Sequence, residues 1–226
     1  MNMRQTRRSL QALRKGVPKF LIRIYEMIFP QSPNLIQREL EGSGKILDLG
    51  CGVNPSTANA DYCVGVDKFK PYLQRVKYEF GDIELILADI TNLQFKEKSF
   101  EAVLALSVLE HLTKEAGTQL LQKAQEWAEK KIVILVPNGF LVQSEYDDNI
   151  WQIHESEWRL YEFLSAGFQV HGIAGFKSLR GNRGQLKFRP RVFFQILSDL
   201  TQKIAYRFPK CGYELLCIKK LGKENS

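Results

Sequence analysis

The chain has 226 residues, of which 44% are apolar and 25% are charged, and its net charge at pH 7 is +7. These values are typical of a globular protein and exclude a disordered chain, a collagen-like repeat and a disulfide-dense miniature protein. No run approaches the roughly 18 apolar residues that a transmembrane helix needs. The charge is uneven, with +6 in residues 1–30, −8 in residues 31–170 and +9 in residues 171–226. Two basic ends favour an anionic partner, although a solvated basic surface explains them equally well.

The first 30 residues predict a basic, amphipathic helical segment. Apolar residues recur there at steps of three and four, at Leu10, Leu13, Val17, Phe20, Ile24 and Met27. Pro18 interrupts this pattern and is typical of the first residue of a second helix. A shorter helix is predicted over 33–40. We therefore divide the chain into a basic helical extension at 1–41 and one α/β domain at 42–226, whose C-terminal part at 138–226 carries a cap segment and a basic helix.

Five short apolar runs follow, and each ends at a turn or a polar residue. They are Lys45–Leu49, 62–66, 84–88, Phe100–Leu106 and 131–136. Helical patterns separate the later runs, and such alternation predicts an α/β fold with a doubly wound, mostly parallel sheet that is covered on both faces. Beyond residue 138 we predict a helix over 155–166, a strand over 168–173, an amphipathic helix over 191–208 and a last strand over 213–218.

Polar residues gather where the predicted strands end, which is where open parallel sheets bind ligands. The first run leads into Asp48-Leu49-Gly50-Cys51-Gly52. A dinucleotide fingerprint would need a third glycine at Pro55, so the pattern argues against NAD. Asp67 ends the second run, where a carboxylate accepts hydrogen bonds from ribose hydroxyls and repels the 2′-phosphate of NADP.

Four motifs in this order resemble the class I S-adenosylmethionine-dependent methyltransferases, in particular their type 11-like members. They are ILDLGCG at 46–52, GVD at 65–67, AD at 88–89 and FEAVLALSVLEHL at 100–112. The resemblance covers about residues 42–175, and the domain at 42–226 is therefore identified as a methyltransferase domain. It implies a Rossmann-like sheet of seven strands whose last strand is reversed, and S-adenosyl-L-methionine as the cofactor.

The resemblance also implies roles for individual residues. The cofactor-binding set that it implies is Asp48, Gly50, Cys51, Gly52, Asp67, Asp89, Ile90, Leu106 and Ser107. The Gly50–Gly52 turn would lie beside the amino-acid part of the cofactor, and Asp67 would hold its ribose. Asp89 and Ile90 would contact the adenine, while Leu106 and Ser107 would line the floor near the reactive methyl group.

Two departures from the family pattern lie in the connection after the first strand. Asn54 stands where a third glycine is usual, and because asparagine tolerates a positive φ we expect the turn to persist. Only seven residues, 55–61, then precede the second strand. The helix that normally follows the turn is therefore predicted to be short or partly lost.

Methyl transfer to oxygen or nitrogen can use a general base, and histidine is the commonest one. His111 and His154 are the candidate catalytic residues, and each has a structural role as its alternative. His171 lies within a strand pattern and is predicted to be structural. Tyr146, Asp147, Trp151 and Trp158 suggest a cap over the substrate, although both tryptophans are equally consistent with the core. We predict no metal site, because Glu110 and His111 show no further ligands in the sequence pattern.

The sequence leaves the acceptor and the partners open. We expect methyl transfer to an oxygen or nitrogen of a small-molecule acceptor, which is lipid- or sugar-linked in one version of the hypothesis. An RNA-directed methyltransferase and a non-catalytic cofactor-binding interaction protein are the alternatives. Nucleic acid is less favoured, because Ser107-Val108-Leu109-Glu110 lacks the Asn/Asp-Pro-Pro-aromatic turn of amino-group methyltransferases.

The basic amphipathic segments raise three further hypotheses. One is peripheral contact with an anionic membrane, a second is packing on the domain, and a third is self-association into a homo-oligomer. Cys51, Cys63, Cys211 and Cys217 form neither a CxxC pair nor a metal-binding spacing. Their pattern indicates reduced thiols in a cytoplasmic protein.

Overall fold

The structure is a computed structural model that describes residues 32–56, 60–80, 83–145, 147–181 and 184–222. Its strands are β1 (Lys45–Leu49), β2 (Tyr62–Asp67), β3 (Glu84–Leu87), β4 (Phe100–Leu106), β5 (Ala128–Pro137), β6 (Gln169–Phe176) and β7 (Gly212–Lys220). Its α-helices are α1 (Ser32–Leu40), α2 (Lys70–Phe80), α3 (Lys114–Trp127), α4 (Leu160–Ser165) and α5 (Arg191–Arg207). The predicted helices before residue 32 lie outside the described residues, and the domain boundary at residue 42 stays a prediction.

The seven strands form one sheet in the order β3-β2-β1-β4-β5-β7-β6. β1 pairs in parallel with β2 and β4, and the parallel pairing continues to β3 on one side and to β5 on the other. β7 runs antiparallel between β5 and β6. The mostly parallel, doubly wound sheet and its reversed last strand are confirmed.

The central strands form because their side chains are apolar on both faces. In β1 the four residues after Lys45 are all buried, and most of β4 and β5 is buried as well. One core cluster includes Leu47, Val103 and Trp127, and a second on the opposite face includes Ile46, Leu104 and Leu216. Burial on both sides explains why these strands appear as continuous apolar runs rather than alternating ones.

Helix α5 packs on the sheet with its polar side and not with its apolar row. Its buried residues are Gln195, Ser198, Asp199, Thr201, Gln202 and Ala205. A Cβ at Gly172 of β6 would lie 2.4 Å from the carbonyl oxygen of Ala205, so helix and strand approach too closely for large apolar side chains. The Gln202 side chain instead accepts the N–H of Gly175 at 3.0 Å.

The apolar row of α5 therefore faces outward. Val192, Ile196, Leu200 and Ile204 are 46–52% exposed. The hypothesis that this row packs on the domain is wrong for the part of the chain that the structure describes. None of the described helices is long and apolar enough to cross a bilayer.

Two local predictions need correction. The helix predicted over 155–166 begins only at Leu160, because residues 155–156 bond to the loop after β4 instead. Gly167 does end it with a φ of +81°. Strand β6 extends to Phe176 rather than stopping at 173. Between β1 and β2, the described residues 50–56 and 60–61 contain no helix, in agreement with the predicted short connection.

Candidate active site at the carboxyl ends of the strands

The strand order brings the predicted site residues to one edge of the sheet. Because β3, β2, β1 and β4 are neighbours, their carboxyl ends place Asp89, Asp67, the Gly50–Gly52 turn and Ser107 next to one another in that order. The structure thus collects at the switch point of the sheet the residues that the sequence assigned to cofactor binding.

The turn after β1 depends on two glycines in the left-handed region. Gly50 and Gly52 have φ values of +66° and +59°. Cys51 between them is buried, and its N–H donates to the Val66 carbonyl at 3.0 Å. We expected the turn to persist because asparagine tolerates a positive φ. The turn does persist, but Asn54 does not adopt a positive φ. A Cβ on Gly52 would meet nothing within 4 Å, so open space lies beside the turn.

The Asp67 carboxylate joins the ends of β1 and β2. It accepts the N–H of Gly52 at 3.0 Å and the N–H of Phe69 at 2.8 Å. Burial raises the pKa of this carboxyl, and these two hydrogen bonds oppose that effect. Two backbone donors fix the carboxylate in one orientation, as a group that receives ribose hydroxyls requires.

Asp48 lies deeper, within β1, and is 2% exposed. Its carboxylate accepts the N–H of Ser56 at 2.7 Å and so holds the connection after the glycine turn. Burial raises the pKa of Asp48 to about 7, although the Ser56 hydrogen bond favours the charged form. Asp48 therefore fixes the connection after the glycine turn from within the buried strand.

Asp89 caps the single 3-10 turn that follows β3. Its carboxylate accepts the backbone N–H and the hydroxyl of Thr91 at 3.0 and 2.7 Å, and the Lys68 ammonium lies 3.4 Å away. Burial alone would raise the pKa of Asp89. The hydrogen bonds from Thr91 and the charge of Lys68 outweigh burial and hold the pKa below its usual value. The neighbouring Ile90 is buried and packs in the core.

Ser107 has a strained backbone at the end of β4. Its φ is +58°, and its N–H donates to the Leu135 carbonyl at 2.8 Å. A positive φ is uncommon for a residue with a side chain and occurs often at functional sites. Leu106 before it is partly buried and packs against the core.

His111 and His154, predicted from separate parts of the sequence, lie side by side. Their ring centroids are 4.8 Å apart at an angle of 73°. Nδ1 of His111 lies 3.1 Å from the Ile153 carbonyl, and Nδ1 of His154 lies 2.7 Å from the Leu141 carbonyl. Burial lowers the pKa of His111 to about 4 and lowers that of His154 too, so both rings are neutral at pH 7.

His171, by contrast, has the predicted structural role. It lies in β6, and its ring stacks on that of Tyr206 with 3.9 Å between centroids.

Glu110 holds the loop after β4 to the segment that carries His154. Its backbone carbonyl accepts the N–H groups of Glu155 and Ser156 at 2.8 and 3.2 Å. Its side chain is 3% exposed, and burial raises its pKa to about 8. Atom Oε2 is buried without a hydrogen-bond partner among the described residues.

Of the residues predicted to form a cap, Trp151 and Asp147 lie at the site, whereas Trp158 does not. Trp151 is 47% exposed, and the Lys68 ammonium lies over its ring at 3.7 Å from the centroid. Asp147 accepts a long 3.5 Å hydrogen bond from the Tyr72 hydroxyl. Trp158 is a core residue instead, 4% exposed, with its indole N–H donating to Ser156. Tyr146 lies outside the described residues.

Sequence reasoning missed two contributors to the site. Lys68 contacts both Asp89 and Trp151 of the cap. Nothing in the sequence pattern indicates such a role for a lysine that follows a strand-ending aspartate. The Glu110 side chain was considered only as a neighbour of His111, because its burial depends on the cap segment more than 40 residues later.

The residues present fit an S-adenosylmethionine site. The glycine turn has open space in front of it, and two fixed carboxylates follow at neighbouring strand ends. A carboxylate at each of these places suits the ribose and adenine donors of the cofactor that the family motifs imply.

Comparisons with known proteins agree with this assignment. Residues 47–140 match the model of a methyltransferase domain family. A SAM-dependent methyltransferase from Archaeoglobus fulgidus is 16% identical, with a TM-score of 0.53 over 88% of this chain and 98% of that one. An S-adenosylmethionine-dependent methyltransferase from Mesorhizobium loti is 14% identical, with a TM-score of 0.54 over 86% of this chain and 100% of that one.

At these identities the two structures show a shared fold. No curated protein matches the sequence significantly. Residues 47–140 thus match a methyltransferase domain family, and the seven-stranded sheet around them has the fold of S-adenosylmethionine-dependent methyltransferases.

Proposed function

We propose that this enzyme transfers the methyl group of S-adenosylmethionine to an oxygen or nitrogen of a small acceptor presented at an anionic lipid surface. The choice of acceptor is supported mainly by the His111–His154 pair, which lies beside the cap segment of residues 147–156. Residues 147–156 close over the end of β4 and bond to Glu110, Lys68 and Tyr72. A site that the chain covers with its own segment suits a small acceptor group better than a folded macromolecule.

The two histidines support an oxygen or nitrogen acceptor. Such an acceptor carries a proton that must leave when the methyl group arrives, and neutral imidazole nitrogens accept or direct that proton. The sulfonium needs little further activation, so orientation of the two reactants supplies most of the effect, about 7–11 kcal/mol in well-oriented systems.

The outward face of α5 supports the lipid surface. Val192, Ile196, Leu200 and Ile204 form an exposed apolar row, and exposed Lys203 and Arg207 lie on the same side of the helix. An apolar face with cations beside it is the pattern of a helix that lies in an anionic bilayer interface. Each such cation contributes about 1 kcal/mol of attraction to the membrane.

The acceptor class is tested with the full-length enzyme and methyl-labelled S-adenosylmethionine. The label is followed into three fractions of a cell extract: lipids, water-soluble small molecules and RNA. We expect label in the lipid or small-molecule fraction, and none with Asp67→Ala. Label in RNA alone would overturn the proposal in favour of the RNA-directed alternative.

The lipid surface is tested by flotation with vesicles of phosphatidylcholine, with and without phosphatidylglycerol. We expect binding only to the anionic vesicles and its loss in Ile196→Ser/Leu200→Ser. Lys220→Ser, a change of an exposed cation at the end of β7, is the control. Equal flotation of the parent and the double variant would contradict membrane docking. A concentration-dependent dimer that forms in the parent and the control but not in the double variant would also contradict it.

A further inference from the structure

Three side chains near the end of β4 form an unassigned cluster of metal-ligand type. Glu110 and His111 come from the single 3-10 turn Leu109–His111, and His154 comes from the cap. One ligand atom from each lies within 4.8 Å of the others. Ligands about 2.1 Å from a tetrahedral ion are about 3.4 Å apart, so side-chain movements of about 1 Å would close the site.

The hydrogen bonds of both imidazole rings select the tautomer of a metal ligand. A backbone carbonyl only accepts hydrogen bonds, so the contacts to Ile153 and Leu141 require that Nδ1 of each ring carries the proton. Nε2 of each ring then presents a lone pair. An N–H held by a carbonyl behind the metal-binding nitrogen is the usual support of a histidine ligand.

Glu110 supplies the second, independent observation. Its side chain is 3% exposed, and Oε2 has no hydrogen-bond partner among the described residues. A buried carboxyl oxygen without a partner is costly, and a cation bound to the ionised group would remove that cost. A general base at His111 or His154 would give Glu110 no such role, whereas a three-ligand metal site uses all three side chains.

The backbone holds the two ligand-bearing segments together. The Glu110 carbonyl accepts two N–H groups from residues 155 and 156, directly after His154. The hydroxyl of Ser156 also donates to the Leu109 carbonyl at 3.0 Å. The separation of Glu110 and His111 from His154 is therefore set by hydrogen bonds that need no metal.

We propose that Glu110, His111 and His154 bind one divalent transition-metal cation and leave its remaining positions open to the acceptor. Two imidazoles and one carboxylate suit Zn²⁺, Mn²⁺ or Fe²⁺, and three protein ligands are typical of catalytic rather than structural sites. Lys68 is a nearby cation, and its ammonium contacts Asp89 and the Trp151 ring.

The chemistry of the ion rests on the proposed function, with a hydroxyl as the acceptor group and with the two imidazoles holding the ion instead of accepting the proton themselves. A hydroxyl bound to the ion loses its proton to solvent water more readily, because the cation stabilises the oxyanion. A lone pair of that oxygen then forms the bond to the methyl carbon. The carbon–sulfur bond breaks, and its electron pair stays on sulfur, so that an ether and neutral S-adenosylhomocysteine result.

The experiment titrates chelator-treated, full-length protein with MnCl₂ and, separately, with ZnCl₂ by calorimetry, and with S-adenosylmethionine in a third run. We expect one equivalent of metal to bind. Glu110→Gln and His154→Asn should each weaken that binding about tenfold or more. His171→Asn, which changes the histidine on β6, should bind metal as the parent does.

A second measurement does not depend on the variants. Substoichiometric Mn²⁺ should broaden the ring proton signals of His111 and His154 before those of His171, which is three strands away from β4. Absence of metal binding by the parent, or equal broadening of all three histidines, would overturn the metal site. If S-adenosylmethionine still binds in that case, only the metal site fails; if a folded parent does not bind it, the proposed function fails as well.

Discussion

The buried carboxyl of Asp48 should reduce stability as the pH rises. Burial raises its pKa from 3.8 to about 7, so the folded protein keeps this proton to a higher pH than the unfolded chain does. Stability is then lost as the pH rises from about 4 to about 7. Asp48→Asn removes the titration and keeps an oxygen that accepts the Ser56 N–H.

The magnitude follows from the pKa. One pKa unit corresponds to about 1.4 kcal/mol, so the variant should be more stable than the parent by about 0.5 kcal/mol at pH 4 and by about 4 kcal/mol at pH 8 from this effect alone. Other buried carboxyl groups titrate in both proteins, and the comparison between the two therefore isolates Asp48.

The assay is urea unfolding of the ligand-free parent and variant at four pH values between 4 and 8. Asp61→Asn, which changes an exposed carboxylate just before β2, controls for the lost charge. A stability difference between Asp48→Asn and the parent that stays constant over this range would refute the argument, since it would mean that Asp48 titrates alike in both states.

The other predictions concern glycines. Gly50→Ala places a Cβ 2.6 Å from Val108 and should lower the free energy of unfolding by about 3 kcal/mol. Gly52→Ala meets open space and should cost about 1 kcal/mol while it weakens cofactor binding; the reverse order of stabilities in urea would contradict this account of the turn. Gly117→Ala brings a Cβ within 2.5 Å of the Trp158 ring and should cost about 1–3 kcal/mol. In thermal unfolding, Gly117→Ala should cost less in a Trp158→Leu background than in the parent, and an equal cost in both would mean that the clash is not the cause.

The strands that could be predicted are those whose own residues indicate that they are buried. The strands β1, β2, β4 and β5 are largely buried on both faces, and each ends at a residue that changes the direction of the chain, so their positions could be predicted within a few residues. The glycine turn and Asp67 were predicted from the strand ends, whereas the roles of the other site residues came from the family resemblance. Their mutual positions follow from the strand order, which only the family motifs indicated.

The parts that were mispredicted depend on distant contacts. The start of α4 shifts because the N–H groups of residues 155 and 156 bond to the Glu110 carbonyl. The side of α5 that packs on the sheet was left open, and it is set by Gly172 and Gly175, which let a polar helix face approach β6 closely. No periodicity within residues 191–208 could indicate this, since the cause lies on another strand.

Cofactor binding is the property on which the whole account depends. Calorimetric titration of the purified protein with S-adenosylmethionine and S-adenosylhomocysteine measures it directly, with Asp67→Ala as the test variant and Asp61→Ala as the control. The account predicts one bound equivalent of each ligand in the parent and in Asp61→Ala, and binding weakened about tenfold or more in Asp67→Ala, which loses a hydrogen-bonded carboxylate. A folded parent that binds neither ligand would contradict it.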